Sequence, residues 1–318
     1  MAYDRLMAPI EIHGVALANR VVMGSMHTGF EDRSKDFGKL AAYLGERARG
    51  GTGLIVTGGF APNLEGWLLP AGSLLASKRA AGRHRVITDA VHGESGRILL
   101  QILHSGRYGY HPFIRSASSR KSPITPFKPR ALSAGGVERT IGAFVRAARL
   151  AELAGYDGVE IMGSEGYLIN QFLAARTNHR TDAWGGTADK RMRFPVEIVR
   201  RVRDAVGDHF IVNYRISLLD LVENGQTWDE VVALAGKLQD AGASMLGTGI
   251  GWHEARVPTI VTSVPRAAFA AFTADVTRAV NIPVCAANRI NMPGTAEELL
   301  ERGDAQLVQI ARPLLADP

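Results

Sequence analysis

The sequence predicts a (β/α)8 barrel. Three observations predict it: short apolar runs recur along the 318 residues, helical patterns separate them, and no early strand opens into a G-x-G-x-x-G turn. The last point counts against the rival doubly wound sheet. The runs, in order, are RVVMGS (20–25), GLIVTG (53–58), RILLQIL (97–103), DGVEIMG (157–163), HFIVNYRI (209–216), SMLGTG (244–249), IPVCAA (282–287) and AQLVQI (305–310). Most lack the strict alternation of a half-buried strand, as expected for strands covered on both faces.

Between the runs lie segments such as KLAAYLGERARG, TIGAFVRAARLAELAG and TWDEVVALAGKLQDAG. Their apolar residues recur at helical spacing, and several stop at Ala-Gly or Gly-Gly just before the next strand. The proline-containing stretch 112–130 reads as a long loop after the third strand. With no low-complexity stretch and no Pro/Gly linker, residues 1–318 read as one domain. After the eighth strand comes ARPLLADP, in which Asp317 and Pro318 suit the N-cap and N1 positions of a helix. The eighth outer helix is expected to open there, so the sequence reads as the N-terminal part of a longer chain.

Composition narrows the ligand classes. The charge balance is 37 − 31 = +6, with a pI near 9.6, which suits a phosphate-bearing ligand. The basic residues are dispersed, without the basic–aromatic blocks of a nucleic-acid binder. A single cysteine, Cys285, excludes an intrachain disulfide and a cysteine-rich metal site. The N-terminus MAYDRLMAPIEIHGV has no apolar signal region, and no run approaches membrane-spanning length. A cytoplasmic protein with no membrane partner is the expectation.

In such a barrel the site lies at the C-terminal ends of the strands. Those positions carry Ser25-Met26-His27-Thr28, Thr57-Gly58-Gly59, Gln101 with His104-Ser105-Gly106-Arg107, Glu165 and Tyr167, Arg215, Gly249-Ile250-Gly251-Trp252-His253-Glu254, Asn288-Arg289, and Ala311-Arg312-Pro313. Singly, each has a structural reading: the glycines as turns, Gln101 and Arg215 as a polar network, His104 as a loop tie, Tyr167 as packing. Together they contain no His/Asp/Glu set with metal-ligand spacing, no G-x-S-x-G and no cysteine in an electropositive turn. They do offer arginines, an amide and bare backbone, which can hold a planar hydrogen-bonding cofactor with a phosphate tail. Arg289 and the backbone near Ala311 and Arg312 are the candidates for the phosphate.

The segments NRVVMGSMHTGFED, LQILHSGRY, MGSEGYLINQFL, RTNHRTDAWGGTADKRMRF, GIGWHEARVPTI and ANRIN, spread from about residue 5 to the end, carry a resemblance. The sequence resembles the old yellow enzyme superfamily of FMN barrels, and within it the N-terminal barrel of bacterial NADPH-dependent 2,4-dienoyl-CoA reductases. The resemblance implies that the backbone at Ser25, Met26 and His27 lies along the flavin near N5, that Gly59 approaches its ring, that Gln101 bonds its pyrimidine edge and that Arg215 sits near N1 and O2. Arg289, Ala311 and Arg312 would hold the phosphate. Tyr167 would give the proton with His253 assisting, and Glu165 would orient or tune that pair. Arg176 and His253, Glu254, Ala255 and Arg256 would line the substrate path. Gly163 and Gly166 are expected to let the loop turn beside the ring.

The implied reaction is reduction of a 2,4-dienoyl-CoA thioester, with electrons from NADPH. A 4Fe-4S cluster and FAD are expected only in a region beyond residue 318. Simple ene-reductases of the superfamily hold the substrate carbonyl with a pattern like H-G-A-N-G-Y. Here those positions are Met162 and Glu165, neither a donor when Glu165 is ionised. A stand-alone NAD(P)H-dependent ene-reductase and a non-catalytic phosphate- or FMN-binding barrel remain the alternatives.

Overall fold

The computed structural model describes residues 3–318. Strands β1 (Val21–Met23), β2 (Leu54–Val56), β3 (Ile98–Ile102), β4 (Gly158–Gly163), β5 (Ile211–Leu219), β6 (Met245–Ile250), β7 (Val284–Ala286) and β8 (Leu307–Ile310) form a closed barrel. All pair in parallel in sequence order, and β8 closes on β1 through Val308 opposite Val21. Each falls within or overlaps a run read from sequence.

Helices α1 (Phe37–Arg49), α2 (Lys78–Gly93), α3 (Ala134–Leu153), α4 (Ala188–Val206), α5 (Trp228–Asp240), α6 (Ala270–Ala279) and α7 (Pro293–Glu301) separate the strands. Side-chain caps fix several starts. Ser133 accepts from Gly136 N at the head of α3, and Thr227 forms a reciprocal box with Glu230 at the head of α5. The Ser133 cap starts α3 six residues before the expected Thr140, through two glycines that the periodicity did not include. After β8 comes one helical turn, Pro313–Ala316, followed by Asp317 in extended backbone. Among the described residues no helix is long and apolar enough to cross a membrane.

A hairpin that the sequence reading missed precedes β1. Ile10–Ile12 and Val15–Leu17 pair antiparallel around His13 and Gly14, both left-handed (φ 48° and 75°). Two such residues in a two-residue loop match strand twist. Ile12 and Leu17 join Val22, Leu54, Leu99, Ile211, Met245, Cys285 and Leu307 in one buried cluster. That cluster fills the N-terminal end of the barrel.

Residues two apart on a strand share a face. Above the cluster, the inward face therefore reads Gln101 after Leu99, Asn213 and Arg215 after Ile211, and Gln309 after Leu307. The same alternation on β4 gives Gly158, Glu160 and Met162. The interior thus changes from apolar to polar toward the C-terminal ends, where the site stands.

Candidate active site

Two adjoining cavities open at those ends. One, of about 450 Å³, is lined by Gly24, Arg215, Asn288, Arg289, Gln309, Ala311 and Arg312 among others. The second, of about 280 Å³, is lined by His27, Gly59, Gln101, Met162, Glu165, Tyr167 and His253 among others. Ser25 and Arg215 line both.

The larger cavity has the features of an anion site. After β7 the chain turns through Asn288 and Arg289, two consecutive non-glycine residues in left-handed backbone (φ 66° and 63°). Such strain persists where the surroundings over-determine it, and it clusters at ligand clamps. Arg289 Nε donates to Val264 O at 2.8 Å, and Arg312 Nη2 donates to Ile260 O at 2.8 Å. The loop from β6 to α6 is therefore seated on both guanidinium groups.

The smaller cavity has a polar floor and a bare flank. Arg215 donates to Glu165 Oε1 through Nε (3.2 Å) and Nη2 (2.9 Å), and to Gln309 Oε1 through Nη1 (2.7 Å). Burial works against the Arg215 charge, but Glu165 and Glu160 outweigh it and hold its pKa above the ordinary value. At Gly59 a Cβ would come within 2.8 Å of Leu103 and 2.9 Å of Gln101 Oε1, so only backbone fits there. His27 Nε2 lies 3.2 Å from Asp32 Oδ1, which turns its ring along the opening. Met26 packs its side chain on the core instead of entering the cavity.

At the wall, Tyr167 OH and His253 Nε2 are 2.9 Å apart, with rings edge to face at 5.1 Å. Tyr167 is 8% exposed. Burial, then the negative charge of Glu165, raises its pKa above the usual phenol value, so it holds its proton at neutral pH. Glu165 Oε2 lies 3.7 Å from His253 Nε2, which links the acid pair to Arg215. The turn that delivers Tyr167 runs through Glu165 (φ 60°) and Gly166 (φ 83°). A Cβ on Gly166 would stand 2.5 Å from Tyr108 OH. Gly163 behaves otherwise than expected: it is the last residue of β4, and its missing Cβ makes room for the Tyr214 ring, 2.2 Å from where that atom would be.

The residues implied for the substrate path separate into two groups. Arg256 is exposed and Ala255 half-exposed on the loop after β6. The Glu254 side chain is only 1% exposed and is held by cations. Arg107 Nη2 reaches both its oxygens at 2.6 Å, Arg176 Nε lies at 3.1 Å and Tyr108 OH at 3.1 Å. Its carboxylate is thereby closed to an incoming ligand, and what it does is fix Arg107, Arg176 and the Tyr108 ring beside Tyr167 and His253. His104 is a loop tie, as read from sequence: its Nδ1 accepts from Gly106 N at 3.1 Å.

Sequence reasoning missed Glu160, Asn213 and Gln309. Glu160 accepts from Gln101 Nε2 and from Asn213 Nδ2, both at 2.7 Å, and is fully buried. The signal was a charged residue inside the apolar run DGVEI, two positions before Met162. Gln309 Nε2 and Asn288 Oδ1 are buried without a hydrogen-bond partner, and both residues line the larger cavity.

These residues fit FMN. The arginine end suits a phosphate, the partnerless amide atoms and Arg215 suit a polar tail and a ring edge, and Gly59 gives the smaller cavity a flank of bare backbone. The chain belongs to the NADH:flavin oxidoreductase / NADH oxidase family, whose model matches residues 5–318. Relatives of the chain include NADPH dehydrogenases and an NADH oxidase. The chain is 36% identical over 317 residues to a metal reductase of Desulforamulus reducens, covering 98% of this chain and 47% of the relative. It is 31% identical over 318 residues to an NADPH dehydrogenase of a Geobacillus species, covering 98% and 91%. Among solved structures, a 2-naphthoyl-CoA reductase in complex with 2-naphthoyl-CoA superposes with a TM-score of 0.94 at 29% identity, covering 99% of this chain and 51% of that one. The chain thus spans about half the length of several relatives it matches.

Proposed function

We propose that this chain is the FMN-binding barrel of an NAD(P)H-dependent reductase of conjugated acyl thioesters, with 2,4-dienoyl-CoA as the substrate type. The observation that carries the reading is the Tyr167–His253 pair at 2.9 Å over a cavity floored by Gln101 and Arg215. Arg289, Arg312 and the backbone at Ala311 would hold the phosphate, and Gln101, Arg215 and Gly59 the ring. Bound there, FMN supplies the hydride. Tyr167, neutral at pH 7, would give its proton to the enolate carbon left after hydride adds at the distal end of the diene, and His253 Nε2 would return a proton to the phenolic oxygen. Glu165 holds Arg215 under the site and faces His253.

The thioester choice rests on the end of β4 and the loop after it. Met162 and Glu165 offer no donor to a substrate carbonyl, since Glu165 is an acceptor committed to Arg215. The likeness to a naphthoyl-CoA reductase supports the same class. In this reading electrons arrive from NADPH through a 4Fe-4S cluster and FAD carried elsewhere in a longer protein.

A stand-alone ene-reductase is the second reading. It is favoured by NADPH dehydrogenases that match over 91% or more of their own length. The test pairs substrates on the FMN-loaded chain under anaerobic conditions. Chemically reduced protein should be reoxidised faster by a dienoyl-CoA than by a simple cyclic enone. Rapid steady turnover of NADPH with the enone alone would favour the second reading.

A further inference from the structure

Glu160 takes no part in the proton chemistry above, yet it stands directly behind Gln101, which lines the smaller cavity. It is 0% exposed, and no cation is in hydrogen-bond contact with it. Burying such a group is costly unless every oxygen is bonded. Its Oε1 takes Gln101 Nε2 at 2.7 Å and its Oε2 takes Asn213 Nδ2 at 2.7 Å. A carboxylate only accepts, so both neighbouring amides turn their NH2 groups toward it. An amide held by its nitrogen has one free end. For Gln101 that end is Oε1, which lies over the bare backbone of Gly59, within 2.9 Å of where a Cβ would stand. Both residues line the cavity.

We propose that Glu160 is a positioning residue that locks the Gln101 carboxamide with its oxygen toward the cavity, so that the floor accepts a hydrogen bond from a ring imide N–H. Beside that acceptor, on the same cavity, stands a donor, the Arg215 guanidinium, whose Nη1 bonds Gln309. An acceptor beside a donor matches an imide N–H beside a carbonyl oxygen, the edge presented by the pyrimidine half of a flavin. With glutamine at position 160, one of the two oxygens becomes an NH2 group, so Gln101 and Asn213 could no longer both donate to the side chain, and the Gln101 orientation would cease to be specified. The inference rests on the flavin assignment but not on the substrate or on Tyr167.

The test uses apo-protein and two probes, FMN and FMN methylated at the imide nitrogen, with affinities read from quenching of flavin fluorescence. Wild-type protein is expected to prefer FMN at least tenfold. Glu160→Gln and Gln101→Met should each bring the preference down to about twofold or less. The double variant should discriminate no worse than Gln101→Met alone, because the two residues act through one amide. Asn213→Ser, which removes the other donor to the same carboxylate, should keep the preference. Undiminished discrimination in Glu160→Gln or in Gln101→Met would overturn the proposal. Gln101→Met decides the matter if Glu160→Gln does not fold. A wild-type protein that binds neither probe would overturn the flavin assignment itself.

Discussion

Glu165 stands between the two halves of the site: one carboxylate oxygen is 2.9 Å from Arg215 Nη2, and the other is 3.7 Å from His253 Nε2. It joins the ring floor to the acid pair. Glu165→Gln keeps the shape and removes the charge. FMN content should be retained, because Arg215 keeps Gln309 as a partner. Reoxidation of reduced protein by substrate should slow about tenfold or more, short of the 10²–10⁴-fold scale for loss of the acid itself, because Glu165 acts through its neighbours. An unchanged rate in anaerobic rapid mixing would remove Glu165 from the mechanism.

The buried ion pair behind the wall is expected to govern stability. Glu254 and Arg107 are 1% and 4% exposed in their side chains. Removing one partner leaves an uncompensated buried charge. Glu254→Gln should cost about 3 kcal/mol or more in denaturant unfolding. The Tyr108 ring, bonded to Glu254, should loosen with it, so activity per folded molecule should fall as well.

Acid should destabilise the fold through two buried histidines. Burial lowers the pKa of His84 to about 4, and burial together with the nearby His111 lowers that of His104 to about 3. Both are neutral in the native state, whereas in the unfolded chain they take a proton below the ordinary 6.5. Stability from this source is therefore present above pH 6.5 and lost as pH falls toward 4 and then 3. Each contributes a slope of up to about 1.4 kcal/mol per pH unit. His84 sits between the Phe37 and Phe60 rings, with Tyr156 OH 2.9 Å from Nδ1. His84→Phe should flatten the dependence by about one proton between pH 6.5 and 4. A slope identical to wild type would contradict the assignment.

Arg289→Ala should weaken FMN retention by about 2 kcal/mol or more, the scale of a charged hydrogen bond. It should also free the loop after β6, because Arg289 Nε holds Val264 O. Faster proteolysis near residues 256–266, reversed by nothing but the arginine, checks the second effect. Unaltered FMN affinity would show that the phosphate lies elsewhere.

The barrel strands were legible because both faces are buried, which leaves uninterrupted apolar runs such as GLIVTG and AQLVQI. The N-terminal hairpin was not, because Ile10–Ile12 and Val15–Leu17 each bury a single residue and give no continuous apolar run, although the His13-Gly14 turn was a usable sign. The strand-end residues could be read off one by one, and barrel closure brings Tyr167 of one loop to His253 of another, 86 positions away. Glu254 stands in the same loop motif as His253, yet its side chain points into Arg107, a direction that spacing does not encode. Glu160 and Gln309 were hidden because a polar residue inside an apolar run reads as noise until the i, i+2 alternation places it beside Gln101 and Arg215.

The claim that Tyr167 delivers the proton is tested most directly by Tyr167→Phe, which keeps the ring packing and removes only the hydroxyl bonded to His253. Protein reduced beforehand is mixed anaerobically with a 2,4-dienoyl-CoA, and flavin absorbance is followed. Flavin reduction in the variant should be unaffected, while reoxidation by the thioester should slow by about 10²–10⁴-fold. His253→Ala should slow the same step, and the double variant should fall short of the product of the two effects. Reoxidation of Tyr167→Phe at the wild-type rate would contradict the account.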